Sequence, residues 1–286
     1  MTAVVEELGR AKVNLYLHVT GRRPDGYHLL DSLMVFAETG DHLTFAPADH
    51  LSLTMDGPGA AALAADDQEN IILKAARLLA DHLKRPATAA IHLHKILPVA
   101  AGIGGGSADA AATLRGLCRL WNARPSDEDL QRLALQLGAD VPVCLFGRPM
   151  LVSGIGEILN PAPTLPVTGL VLVNPRQPLS TPSVFRQRQG EFQSANPLHT
   201  AAADARELAS QLAQRQNGLT AAAITLAPVI QDMLDALAHT PHCLLSRMSG
   251  SGATCFGLYG SADDANAAAQ SLQQSHPDWW VAASSL

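Results

Sequence analysis

The chain has 286 residues, of which 47% are hydrophobic and 16% charged, and its formal net charge is −6. That composition excludes a disordered chain and leaves enough apolar material for two domains. With no basic patch a nucleic-acid partner is not expected, and with no uncharged apolar run of about 18 residues neither is a membrane span.

The opening MTAVVEELGRAKVNLYL lacks a basic segment followed by an apolar run of signal length. Residues 10–19 alternate, with Val13, Leu15, Leu17 and Val19 on one face and Lys12, Asn14, Tyr16 and His18 on the other. This predicts a strand with one polar face. A turn follows over Gly21–Gly26, then extended runs over 29–36 and 41–45. Residues 70–83 have helical periodicity, capped by Asp or Asn, and 90–97 alternate as a strand, with His92 and His94 on a solvated face. A helix is expected from Ser126, its N-cap, to near Gly138, with three acids in its first turn. Asp140 opens a short apolar run to Phe146, and three prolines mark 159–166 as a connector. A buried strand over 170–173 precedes helices over 202–215 and 220–238, the second interrupted at Pro228. A strand (253–259), a helix (262–274) and a strand (279–283) complete an α+β second half. Cys118, Cys144, Cys243 and Cys255 show no CxxC spacing. Cys118 and Cys255 are expected as buried free thiols, in a reduced, cytoplasmic protein.

The most informative stretch is Leu97–Leu117, LPVAAGIGGGSADAAATLRGL, which sets four glycines (Gly102, Gly104, Gly105, Gly106) between a strand and an alanine-rich helix. Such glycines permit positive φ and let backbone N–H groups converge, and Ser107 is the expected N-cap. A helix start of this kind is expected to be an anion site, for phosphate. It is not a P-loop, because no lysine precedes the serine, and it lacks the third glycine of a dinucleotide fingerprint. The H-R-D and D-F-G motifs of protein kinases do not occur.

Three pieces occur in order: Ala11-Lys-Val-Asn14, the glycine loop, and Met248-Ser-Gly-Ser-Gly-Ala253. Together they resemble the galactokinase, homoserine kinase, mevalonate kinase and phosphomevalonate kinase (GHMP) superfamily. Pro98–Ala108 fits its second motif with one extra glycine. Residues 11–33, the GIGGGSADAA loop and Leu137-Gly-Ala-Asp-Val-Pro-Val143 look like the signatures of the 4-diphosphocytidyl-2-C-methyl-D-erythritol kinases within it. The likeness runs from about residue 8 to 260. Ala108 stands where many relatives have a second serine, and the tail after Tyr259 carries no usable signature.

The resemblance implies a two-domain α+β GHMP fold. An N-terminal ribosomal-protein-S5-domain-2-like ATP-binding domain would span 1–160, and a C-terminal ferredoxin-like α/β sandwich 161–286. It implies a cytoplasmic enzyme, a monomer or weak homodimer, that uses ATP and Mg²⁺ on a small-molecule substrate, 4-diphosphocytidyl-2-C-methyl-D-erythritol, whose 2-hydroxyl it phosphorylates. Lys12 and Asp140 would be catalytic, Asp140 taking the hydroxyl proton and Lys12 keeping it ionised. ATP would meet Pro98, Ala100, Gly102, Ile103, Gly104, Gly105, Gly106, Ser107 and Ala108, with Asn70, Lys95 and Leu97 lining the adenine pocket. Tyr27 and Phe185 would sandwich the cytosine and His28 read its edge, with Asn14 and Thr181 near the substrate. Gly250, Ser251 and Gly252 would let backbone close over the phosphates. For Asp109 two roles stand side by side: approach to Mg²⁺ through water, or a first-turn acid favouring the helix dipole. The ligands of the metal are left unknown. The rivals are another GHMP small-molecule kinase and a non-catalytic sensing relative, which would be expected to lose Lys12 or Asp140.

Overall fold

The computed structural model describes residues 4–63 and 70–286. The chain opens with two long strands, β1 (Val5–Arg22) and β2 (His28–Ala46), followed by β3 (Leu51–Asp56), α1 (Ile71–His82) and β4 (Ala89–His94). Then come α2 (Gly105–Leu120), α3 (Asp127–Leu137), α4 (Val141–Phe146), β5 (Met150–Gly154), β6 (Ile158–Pro161) and β7 (Gly169–Asn174). Next are α5 (Thr181–Gln187), α6 (Ala205–Ala213), α7 (Thr220–Leu226) and α8 (Val229–His239). The chain ends with β8 (Leu245–Met248), β9 (Cys255–Tyr259), α9 (Ala262–Ser275) and β10 (Trp280–Ser285). The two extended runs expected over 29–36 and 41–45 are one strand, β2.

The chain folds as two compact units. The first comprises the described residues within 1–11, 40–99 and 104–147. Here β4 pairs antiparallel with the second half of β2 (Leu43↔Leu93) and parallel with β3 (Leu53↔Ile91). Helix α1 starts where Asn70 accepts a hydrogen bond from the Ile72 amide, and α3 where the Ser126 side chain accepts from the Asp129 amide. Its C-cap is Gly138. The alanines of α2 are its packing face: Ala108, Ala110, Ala111 and Ala112 are buried together with Leu114 and Leu117. Gly116 has the same purpose, since a Cβ there would stand 2.3 Å from the ring of the fully buried Phe45. Small residues thus let the helix lie close on β2.

The second unit comprises 12–39, 100–103 and 148–286. The first half of β2 pairs antiparallel with β5 (Ser32↔Val152), and β5 with β6. A four-stranded antiparallel sheet runs in the order β10-β7-β9-β8. Its core gathers Val171, Val173, Ile230, Met233, Leu237 and Leu272. Pro228 separates α7 from α8, as expected of a residue that cannot donate an amide hydrogen bond. Cys255 is buried and free, whereas Cys118 is only partly buried. Among the described residues no helix is long and apolar enough to cross a membrane.

Candidate active site

The polar row of β1 does not face water. The expected polar face is there, but Lys12, Asn14, Tyr16 and His18 on it are all buried. A buried polar group needs partners, and these come from distant segments of the second unit. The Lys12 ammonium donates to Asn14 Oδ1 at 2.9 Å, and Asn14 Nδ2 donates to Ser32 Oγ at 2.8 Å. The Asn14 amide donates to Ser249 Oγ at 3.1 Å, and Ser249 Oγ in turn to the Gly102 carbonyl at 3.2 Å. The Lys12 amide donates to the Ile103 carbonyl at 2.9 Å. So the lysine strand, the start of the glycine loop and the 248–253 loop meet in one place. The glycines make this approach possible. A Cβ on Gly102, where φ is 74°, would stand 2.5 Å from the Gly252 carbonyl oxygen. Asn217 Nδ2 fixes the far loop by donating to the carbonyls of Met248 and Gly250, each at 2.8 Å. Ala100 also has a left-handed backbone, with φ 52°.

In the first unit the glycine run opens α2 differently from the expectation. The N-cap is Gly104 with φ 63°, no side chain caps the helix, and Ser107 lies inside the first turn. Glycine tolerates that left-handed entry, so the helix begins before the serine is reached. Asp109 is therefore beyond the first turn, and neither expected role describes it: it is buried, with its carboxylate 2.6 Å from the Lys95 ammonium. Lys95 also donates to Asp41 Oδ2 at 2.6 Å, while Asp41 Oδ1 accepts the amides of Ile96 and Leu97 at 2.6 and 2.8 Å. Leu97 is fully buried, and Asn70 is half-buried with its oxygen engaged as the α1 cap. Asp140 stands half-buried at the N-cap position of α4, yet its side chain makes no capping hydrogen bond. A simple helix-capping carboxylate does not describe it.

At the open end of β1 and β2, His28 stacks on Phe185 with ring centroids 4.9 Å apart and 26° between planes. Tyr27 is exposed beside it. Phe192, absent from the expected set, meets His28 edge-on at 6.5 Å and carries the Arg188 guanidinium over its ring at 4.7 Å. Nothing periodic surrounds Phe192 in the sequence; only an isolated aromatic in a polar loop marks it. Burial, with the charges of Arg22 and Arg188, lowers the His28 pKa and favours a neutral imidazole that both donates and accepts. Thr181 Oγ1 lies 2.7 Å from Ser251 Oγ, tying the first turn of α5 to the 248–253 loop. His92 and His94 are partly exposed around Asp56, and among the described residues no three His, Cys, Asp or Glu side chains converge to hold a metal.

Known proteins settle the family. The profile of the GHMP kinases N terminal domain matches residues 70–148, and that of the GHMP kinases C terminal domain matches 198–278. A 4-diphosphocytidyl-2-C-methyl-D-erythritol kinase of Paramagnetospirillum magneticum is 59% identical over 276 residues, covering 96% of both chains. One of Rhodospirillum rubrum is 53% identical over 292 residues, covering all of this chain and 96% of that one. The chain belongs to the GHMP kinases, among the 4-diphosphocytidyl-2-C-methyl-D-erythritol kinases. The crystal structure of a 4-(cytidine 5'-diphospho)-2C-methyl-D-erythritol kinase superposes with a TM-score of 0.81 at 33% identity over 98% of each chain. A homoserine kinase of Cytophaga hutchinsonii shares the fold, with a TM-score of 0.74 at 18% identity. The two-domain GHMP kinase fold expected from the motifs is thus the fold of this chain.

Proposed function

We propose that this GHMP kinase moves the γ-phosphoryl group of ATP to the 2-hydroxyl of 4-diphosphocytidyl-2-C-methyl-D-erythritol, in the cytoplasm, as a monomer or weak homodimer. The observation that carries the reading is the meeting of Lys12 and Asn14 with Gly102–Ile103 and the Ser249–Gly252 loop. It gathers a cation, a glycine-lined backbone and hydroxyls, the parts that phosphoryl transfer needs.

The substrate hydroxyl oxygen attacks the γ-phosphorus, the bridging β–γ bond breaks, and ADP leaves with the bond's electrons. The hydroxyl proton passes to the Asp140 carboxylate, and Lys12 steadies the charge on the acceptor side. Main-chain N–H groups of Gly104–Ala108 receive phosphate oxygens at the start of α2, with Gly102, Ile103, Pro98 and Ala100 shaping the approach. Asn70 and Leu97 flank the adenosine. Tyr27, His28 and Phe185 take the cytosine, with Phe192 as a fourth ring, and Asn14 and Thr181 hold the methylerythritol end. Mg²⁺ would come to this chain with ATP and would supply charge neutralisation at the phosphates.

The test is an ADP-release assay with Mg-ATP on 4-diphosphocytidyl-2-C-methyl-D-erythritol, mevalonate and homoserine in parallel. Turnover on the cytidyl alcohol alone is expected. Turnover on another alcohol instead would remove the proposed cytosine pocket, and nucleotide binding without turnover on any of them would favour a sensing role.

A further inference from the structure

Lys95 is enclosed on every side. Its ammonium takes Asp41 and Asp109 at 2.6 Å each. Its amide donates to the Asp56 carbonyl at 2.8 Å, and its own carbonyl accepts from the Gly59 amide at 3.0 Å. Glycines make the room: a Cβ would stand 2.6 Å from the Lys95 carbonyl oxygen at Gly57, 2.7 Å from its Cγ at Gly59 and 3.3 Å from its Nζ at Gly105. The last of these places the cation directly beneath the first residue of α2. On the far side, Gly9 packs against Asp109, where a Cβ would meet Oδ1 at 2.8 Å, and that oxygen has no hydrogen-bond partner. Lys95, Asp41 and Asp109 are all at least 95% buried.

We infer that Lys95, clamped between Asp41 and Asp109, is a positioning cation for the nucleotide: it fixes the first turn of α2, and the protonation of Asp109 sets how much positive field that turn offers an anion. The inference rests on the proposed role of this turn in holding ATP phosphates. With both carboxylates ionised the cluster has a net charge of −1; with Asp109 protonated it is neutral. Burial pushes the Asp109 carboxyl up, Lys95 pulls it down and Asp41 raises it again, leaving it at about 7. Burial works against the Lys95 ammonium, but the two carboxylates hold its pKa above the usual value, so the lysine stays charged throughout. Of the elements packed on α2, α1 buries Ile72, Ala75 and Leu79, and α4, which Asp140 opens, buries Val141 and Val143. Lys74 and Arg77 lie on the exposed side of α1, and Arg115 and Arg119 of α2 pair with Glu7 of β1 further along the helix. Anion affinity at the loop should therefore fall as pH rises through neutrality.

The test is equilibrium binding of ADP and a non-hydrolysable ATP analogue to the full chain from pH 6 to 8.5, with KM and kcat measured alongside. Wild-type affinity should fall about threefold to tenfold beyond the change seen in Asp109→Asn, in which the ligand still titrates but the cluster does not. Lys95→Met combined with Asp109→Asn, which leaves Asp41 on its two amides, should raise the KM for ATP about tenfold with the KM for the alcohol unchanged. The same pH slope in Asp109→Asn as in wild type, or a folded double variant with wild-type nucleotide affinity, would overturn the inference. Normal turnover on the cytidyl alcohol with that negative result would leave the proposed function standing. The predicted binding pattern without that turnover would do the reverse.

Discussion

Each unit buries a carboxylate against partners from distant segments, and the two are driven in opposite directions. Asp109 shares one lysine with a second carboxylate, Asp41, and keeps a buried oxygen without a hydrogen. Asp31 is surrounded by donors. Tyr16 Oη donates to it at 3.2 Å, the Asn196 amide at 2.6 Å, and His18 Nδ1 lies 3.4 Å away. The Gln216 amide donates to His18 Nε2, so the ring proton is on Nδ1, facing Asp31. Burial alone would raise the Asp31 pKa, but the bonds from His18, Asn196 and Tyr16 outweigh it and lower the value. At Asp109 burial and the second carboxylate outweigh Lys95. The lesson is that burial does not decide the charge of a carboxylate; the balance of donors against competing anions does.

Asp140 is the control for this comparison, a half-buried carboxylate outside both clusters. Asp140→Asn should lower kcat about a thousandfold; near-normal turnover would remove it as the base. The cluster carboxylates are tested on stability. Lys95→Ala strands two buried anions and should cost about 3–5 kcal/mol in urea unfolding. Asp31→Ala leaves Tyr16, His18 and the Asn196 amide without their acceptor and should cost about 3 kcal/mol. Equal, small losses in both would mean that neither cluster is held as tightly as the distances indicate.

The pH dependence of stability separates the clusters by sign. The lowered Asp31 contributes stability that is present above the unfolded carboxyl value and is lost as pH falls through its folded value. The raised Asp109 contributes most at low pH, and that contribution is lost between the unfolded carboxyl value of about 4 and its folded value of about 7. Urea midpoints from pH 3 to 8 should show both limbs, with Asp31→Asn flattening the acid one and Asp109→Asn the one above it. Phe192→Ala should raise the KM for the cytidyl alcohol about fivefold and leave the KM for ATP alone. The smallest effect belongs to the exposed Arg132–Asp129 pair, where Arg132→Ala should change stability by less than about 0.5 kcal/mol.

Much of the fold was legible because its signals are local. Ser126 before three acids, Asn70 before an apolar face and Pro228 between two helical runs each act within a turn of chain, and each helix forms where expected. The glycine loop was legible as the opening of a helix, but that helix starts at Gly105, because a left-handed Gly104 opens it before Ser107 can cap it. Phe192 left no readable mark, since an isolated loop aromatic gains meaning only when His28 is brought to it.

By itself the sequence determined the family, the order of the motifs and the type of most elements, because motif chemistry and helix caps are set by neighbours along the chain. Only the tertiary structure decided that the polar row of β1 is buried and that Lys95 is caught between two aspartates. It also decided that Asp31 and Asp109 face opposite electrostatic environments. Those outcomes depend on what residues many positions away place within hydrogen-bonding reach, and no local pattern carries that information.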